Sequence, residues 1–141
     1  MVLRDKDREY LKFIGTANIK HFSVDENIPL KVAKQSYQNC YLKYSSSFDK
    51  KAWKLFKTEK LLIKEVSLGL TTAYDPGIYA NLTGMYCFIP NNNKVSFFYL
   101  LGILNSKILD FYFRSLYGST HMGGGYLRFN GSYLKELPIK I

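Results

Sequence analysis

The stretch Phe97–Tyr117, FFYLLGILNSKILDFYFRSLY, constrains the fold more than any other part of the chain. Apolar residues recur at Phe97, Leu101, Leu104, Ile108 and Phe111, in steps of four, three, four and three, which is one face of a helix. A second row, Leu100, Ile103 and Phe113, widens that face. The spacing predicts one long helix over about residues 95–117, buried on most of its circumference, with the rest of the chain packed around it. A polar step, Asn105-Ser106-Lys107, interrupts it, and Asn93 or Ser96 is placed to cap its start. Lys107, Asp110 and Arg114 argue against a membrane span, because a charge at a bilayer centre costs about 2.5–3.5 kcal/mol.

Elsewhere the pattern is mostly that of short strands. Residues 4–9 alternate in charge and read as a solvated lead-in. Tyr10–Ile14 reads as a strand ended by Gly15, Gly15–Asn18 as a turn, and Ile19–Val24 as a half-buried strand of alternating character. Pro29 opposes a helix near residues 25–29. Within residues 30–46, LKVAKQSYQ fits a short helix or an irregular strand equally well, and Tyr41–Tyr44 alternates again. A shorter basic helix is expected over about residues 48–58, with Ser47 as its N-cap and Asp49 favourable near its positive end. Further strands are expected at Lys60–Val66, Leu70–Tyr74, Ile78–Ala80, Met85–Ile89 and Tyr126–Phe129. Asp75-Pro76-Gly77 is a strong turn, 81–84 a loop, and 91–93 a polar turn before the long helix. Gly118–Gly125 is the most flexible stretch, because Gly123-Gly124-Gly125 carry no side chains to restrain them. No repeat or composition break divides the chain. We therefore expect one α+β domain over residues 1–141, a mixed and mainly antiparallel twisted sheet packed around the long helix.

A chain of 141 residues with 47% hydrophobic residues can bury a real core. Its charge is uneven. Residues 1–64 hold 14 Lys and Arg against 7 Asp and Glu, whereas residues 65–141 hold 6 against 4. A basic first half suits a polyanion such as nucleic acid, or simply keeps the protein soluble. Cys40 and Cys87 have no closely spaced partner, so neither a disulfide framework nor a zinc site is indicated. Reduced thiols and a cytoplasmic location are expected, since the start lacks a secretory core.

Catalytic patterns are missing. His21 and His121 lack metal-ligand spacing. There is no GxSxG elbow, and Ser106 has no identifiable base. Gly118–Gly125 follows a helix and lacks GK[ST], so it is not a phosphate loop. Residue chemistry alone favours a binding module. In the basic helix, Lys50, Lys51, Lys54 and Lys57 either form a solvated face or neutralise phosphates, while Trp53 reads as core. The glycine stretch is either a mobile connection or a place where backbone approaches a groove. In the second case Ser119, Thr120, His121 and Arg128 can reach base edges. Lys20, His21, Lys43, Thr71 and Thr72 complete the set of expected DNA-contacting residues.

Five blocks in order resemble the TaqI-like C-terminal specificity domain, the target-recognition domain of adenine-specific DNA methyltransferases and of type IIG restriction-modification enzymes. They are Lys60–Val66, similar to the family's PKIL-R-I strand; Ala73-Tyr74-Asp75; Tyr99–Lys107, YLLGILNSK; Arg128-Phe129; and Leu137-Pro138-Ile139. Ile19-Lys20-His21-Phe22 is also similar to a segment found early in such domains. YLLGILNSK is the most specific block, and the resemblance spans roughly residues 10–141. Glu59 departs from the proline common before the lysine, which affects a turn.

The resemblance implies recognition of a double-stranded DNA target on behalf of a covalently linked methyltransferase domain, this chain being a C-terminal fragment of a larger enzyme. The NPP[YF] motif and cofactor loop of such enzymes do not occur here, so the chain is expected to be non-catalytic alone and to need no cofactor. S-adenosylmethionine, with magnesium as a further candidate, belongs to the parent enzyme, which flips its target adenine. The long helix is then scaffold, and Asn105 fixes a helix junction. Two other readings stand beside this one: half of a type I restriction specificity subunit, and a Tyr-rich protein-interaction domain.

Overall fold

A computed structural model describes residues 10–81, 83–91, 93–120 and 122–140. The lead-in at residues 4–9, His121, and single positions of the loops at 81–84 and 91–93 lie outside the described residues. In chain order the elements are β1 (Tyr10–Ile14), β2 (Leu30–Val32), β3 (Gln35–Tyr37), β4 (Tyr41–Lys43), α1 (Lys50–Phe56), β5 (Lys60–Lys64), β6 (Val66–Ser67), β7 (Thr72–Asp75), β8 (Tyr79–Asn81), β9 (Met85–Phe88), α2 (Phe97–Leu104), α3 (Lys107–Tyr117), β10 (Leu127–Arg128) and α4 (Gly131–Leu134). The α+β class is as expected. The sheet is not one piece: two three-stranded sheets, β4-β1-β8 and β7-β5-β9, carry the fold, beside two small ribbons, β2-β3 and β10-β6. Among the named strands all pairings are antiparallel except β1 with β8.

Strand alternation distributes side chains between layers. On β5, Leu61 and Ile63 pack with Leu100, Leu101, Leu104, Leu109 and Phe113 of α2 and α3. Leu62 points the other way and joins Ile14, Ile19, Ala73, Tyr79 and Met85. On β1 and β8, Leu11 and Ala80 turn to Trp53 of α1. The order is thus α1, the β1 sheet, the β5 sheet, then α2 and α3.

The long helix is two helices. Asn105 ends α2, and Ser106 caps α3 by accepting from Leu109 N–H at 3.2 Å. The expected burial on most of the circumference is also corrected. Phe98 of α2 is 67% exposed, and on α3 Ile108 is 83% exposed and Phe111 72%, because the break re-aims the apolar stripe of α3. The spacing rule assumed one continuous helix; in α3 Leu109 and Phe113 are buried, and Tyr117 packs against them half-buried. Ser96 is the cap of α2, accepting from Phe98 N–H at 3.2 Å. In α1 the cap is Asp49, which accepts from Lys51 N–H at 2.9 Å, rather than Ser47.

Residues 19–24 do not form the expected strand. They make a tight loop with isolated bridges, Ile19 to Val24 and Phe22 to Ala73. Residues 30–37, ambiguous in sequence, are an exposed hairpin. Gly123–Gly125 forms a 3-10 turn with Gly124 at φ +77°, a conformation that favours glycine. No described helix is long and apolar enough to cross a membrane, and Cys40 and Cys87 are free thiols.

Candidate nucleic-acid interface

The expected contact residues fall into two groups. The first is α1 with the edge of the β1 sheet. Trp53 faces inward, with Tyr44 and Phe48 rings 5.2 and 5.9 Å away, so it is core, as expected. That leaves Lys50, Lys51 and Lys54 exposed on the outer side, with Lys57 half-buried at the C-terminal end. Lys43 lies on β4, its ammonium 5.4 Å from the centre of the Tyr10 ring, a cation–π distance.

The second group lies beyond the far end of β5. The strand advances about 3.3 Å per residue, so Lys64 lies about 13 Å from Lys60. Lys64 pairs across from Met85 on β9, and its N–H donates to Thr71 O at 3.1 Å. Lys64 is two residues from Leu62, and Thr71 two from Ala73. Both therefore point to the face on which Ile14 and Ile19 pack. The loop carrying Lys20 and His21 is tied to that face through Phe22, whose N–H donates to Thr72 O at 2.8 Å and whose carbonyl accepts from Tyr74 N–H at 3.2 Å. His21 Nε2 is 3.3 Å from Thr71 Oγ1, which lies 3.2 Å from Ser67 Oγ and donates to Gly69 O at 2.8 Å. Burial, and then the charge of Lys20, pushes the Lys64 ammonium below the ordinary lysine value. Arg128, paired through β10 to Val66, stands 3.9 Å from Glu65. Ser119 is exposed on the 3-10 turn Gly118–Thr120 that follows α3.

Thr72 has to be removed from the contact set. It is fully buried, and its register opposite Ile63 turns its side chain toward α2 and α3. Its backbone is held by Asn105: Thr72 N–H donates to Oδ1 at 2.9 Å, and Nδ2 donates to Thr72 O at 2.8 Å and to Leu101 O at 2.8 Å. The amide thus shares the edge of β7 with the Phe22 loop, whose N–H also donates to Thr72 O, and closes the end of α2. The role expected of Asn105 at a helix junction is the one it has. Thr71 is buried too, and it reaches the surface group only through its hydroxyl.

Pattern reading missed Lys64, Ser67 and Lys60. Lys64 sits in an apolar strand whose register alone decides which way it points. Lys60 is fully buried, its ammonium 2.5 Å from Asp75 Oδ2 and donating to Phe56 O at 2.8 Å and Thr58 O at 3.2 Å. Asp75 Oδ1 accepts from the N–H groups of Gly77 and Ile78, at 2.7 and 2.9 Å. Burial pushes the Asp75 carboxyl above its ordinary value, against the pull of Lys60 and those N–H groups. The pair joins the end of α1 to the β7–β8 turn, so it positions the lysine helix without contacting anything outside the fold. A cluster of three or more metal-ligating side chains does not occur among the described residues.

No curated protein matches the chain. The profile of the TaqI-like C-terminal specificity domain matches residues 11–139. That span takes in both sheets, all four helices and both basic groups, and by it the chain belongs to the TaqI-like C-terminal specificity domain family.

Proposed function

We propose that this chain is the DNA target-recognition module of a restriction-modification adenine-N6 methyltransferase, with or without an attached endonuclease, and that it performs no catalysis alone. The observation that carries the reading is the family match over residues 11–139. The exposed lysines of α1 and the Lys20–Lys64 group support it, because both present cations to a polyanion. In this reading a linked methyltransferase domain binds S-adenosylmethionine and carries out the transfer, while Lys50, Lys51 and Lys54 hold the duplex backbone. Ser119 and Arg128 are the exposed groups able to reach base edges.

Anisotropy titration of the chain against random duplex at graded salt tests this. Binding that weakens steeply as salt rises is expected; absent or salt-independent binding overturns it. Added S-adenosylmethionine should produce no methyl transfer.

A protein-interaction role is favoured by one observation. Ile108, Phe111 and Leu116 are exposed apolar residues of α3, and exposed apolar surface of this kind marks protein contacts. A chain that binds no duplex but self-associates or captures a protein partner through this surface would support that reading instead.

A further inference from the structure

The His21 ring reaches Thr71, the cross-strand neighbour of Lys64, so the loop that carries Lys20 lies on the side of the sheet to which Lys64 points, and neither ammonium has a carboxylate within ion-pair distance among the described residues. The other groups beside them are the His21 ring and the hydroxyls of Thr71 and Ser67. The nearest carboxylate in sequence, Glu65, lies in the bend after β5 and is turned toward Arg128. Phe22 holds the loop at φ +74°, a left-handed conformation costly for a bulky residue, through two backbone bonds to β7. Two like charges, Lys64 half-buried on β5 and Lys20 exposed on a loop bonded to β7 through Phe22, thus share one side of the sheet with hydroxyl and imidazole groups. Folding gains nothing from that repulsion; an anion placed between the ammoniums relieves it.

We propose that Lys20, Lys64, His21 and Thr71 form a seat for one phosphate-class oxyanion, which on the DNA-recognition reading is a single phosphodiester of the target duplex. The two ammoniums supply charge. The Thr71 hydroxyl, its proton given to Gly69 O, accepts from His21 Nε2–H and so fixes the ring, which in its imidazolium form offers Nδ1–H. Because one phosphate is shared, the two lysines act as a unit. Removing both costs one phosphate's worth of counterion release, not two.

The test follows the side-chain signals of isotopically labelled lysines during titration with inorganic phosphate and, separately, with random duplex. The Lys20 and Lys64 signals are expected to move together and saturably with both titrants, and the Lys20 movement to be lost in Lys64→Met. Movement with phosphate but not with duplex upholds the oxyanion seat and counts against the DNA reading. Duplex that moves the α1 lysines while Lys64 stays still overturns the seat and leaves the DNA reading standing. In the salt series, Lys20→Met with Lys64→Met should lower the slope of log affinity against log salt by about 0.9; a loss of about 1.8 overturns sharing of one phosphate. Lys64→Met keeps the aliphatic stem and should melt no lower than the unsubstituted chain, because it removes the repulsion. A lower melting temperature would make Lys64 a structural lysine and overturn the proposal.

Discussion

Lys60 takes an ammonium to a fully buried position, and Asp75 meets it there with a carboxylate that is buried as completely. Removing one member of such a pair strands the other, at a cost of about 3–5 kcal/mol. Lys60→Met is therefore expected to lower the urea midpoint by that equivalent. Lys60→Met combined with Asp75→Asn should be less destabilising than Lys60→Met alone, since an amide oxygen still accepts from Gly77 and Ile78. A second residue-scale effect concerns Glu26. The Tyr79 hydroxyl donates to it at 2.5 Å, and that bond, with help from Lys12, holds its carboxyl below the usual 4.5. A lowered folded value means that the contribution is present above about pH 4.5 and disappears as pH falls through the folded value. Glu26→Gln should flatten the acid side of the stability profile in that window and leave its shape near neutrality unchanged. Burial, and then Glu26, moves the Tyr79 hydroxyl upward, so it stays protonated as the donor at ordinary pH.

At the scale of elements, the break between α2 and α3 matters most. Leu104 and Ile108 belong to one periodic row in sequence, yet Leu104 is 3% exposed and Ile108 83%. Leu104→Ala should cost about 2–5 kcal/mol through the cavity it leaves. Ile108→Ala should stay within about 0.5 kcal/mol in the same thermal or urea measurement. Equal effects would mean that α3 is packed on its outer side in solution. The α3 helix also holds the loop before β7. Asp110 Oδ1 accepts from Leu70 N–H at 2.8 Å, and Arg114 bonds both Asp110 and Leu68 O. Through that clamp the scaffold helices fix Thr71, and with it the second basic group. Gly77 does the same for the first: at φ +93°, a Cβ there would meet Lys57 O at 2.4 Å, so only glycine lets the β7–β8 turn lie against the end of α1.

For the whole molecule, charge sits in two places, on the outer side of α1 and beside Lys64 at the end of β5. Two such groups suit contact with a duplex backbone at more than one phosphate. Neutralising Lys50, Lys54 and Lys57 together should weaken binding similarly for all sequences and lower the salt slope, without altering the response of Lys64 to phosphate. Unchanged affinity would make that face merely solvated.

The α+β class, most strand positions, the core role of Trp53 and the family blocks were legible in the sequence, because they rest on local periodicity, turn residues and short motifs. The basic character of the first half was legible too, since charge needs no geometry to be counted. What periodicity could not see is where a helix breaks and which way a strand faces. Asn105 and Ser106 satisfy the backbone of both helix ends, so two helices formed where the spacing predicted one, and Ile108 and Phe111 turned to solvent. The direction of Lys64, the burial of Lys60 and Thr72, and the placing of Lys20 on the side of the sheet to which Lys64 points depend on register between strands far apart in the chain. Only tertiary structure decided them, because a shift of one residue in that register would send each side chain to the opposite face of its sheet.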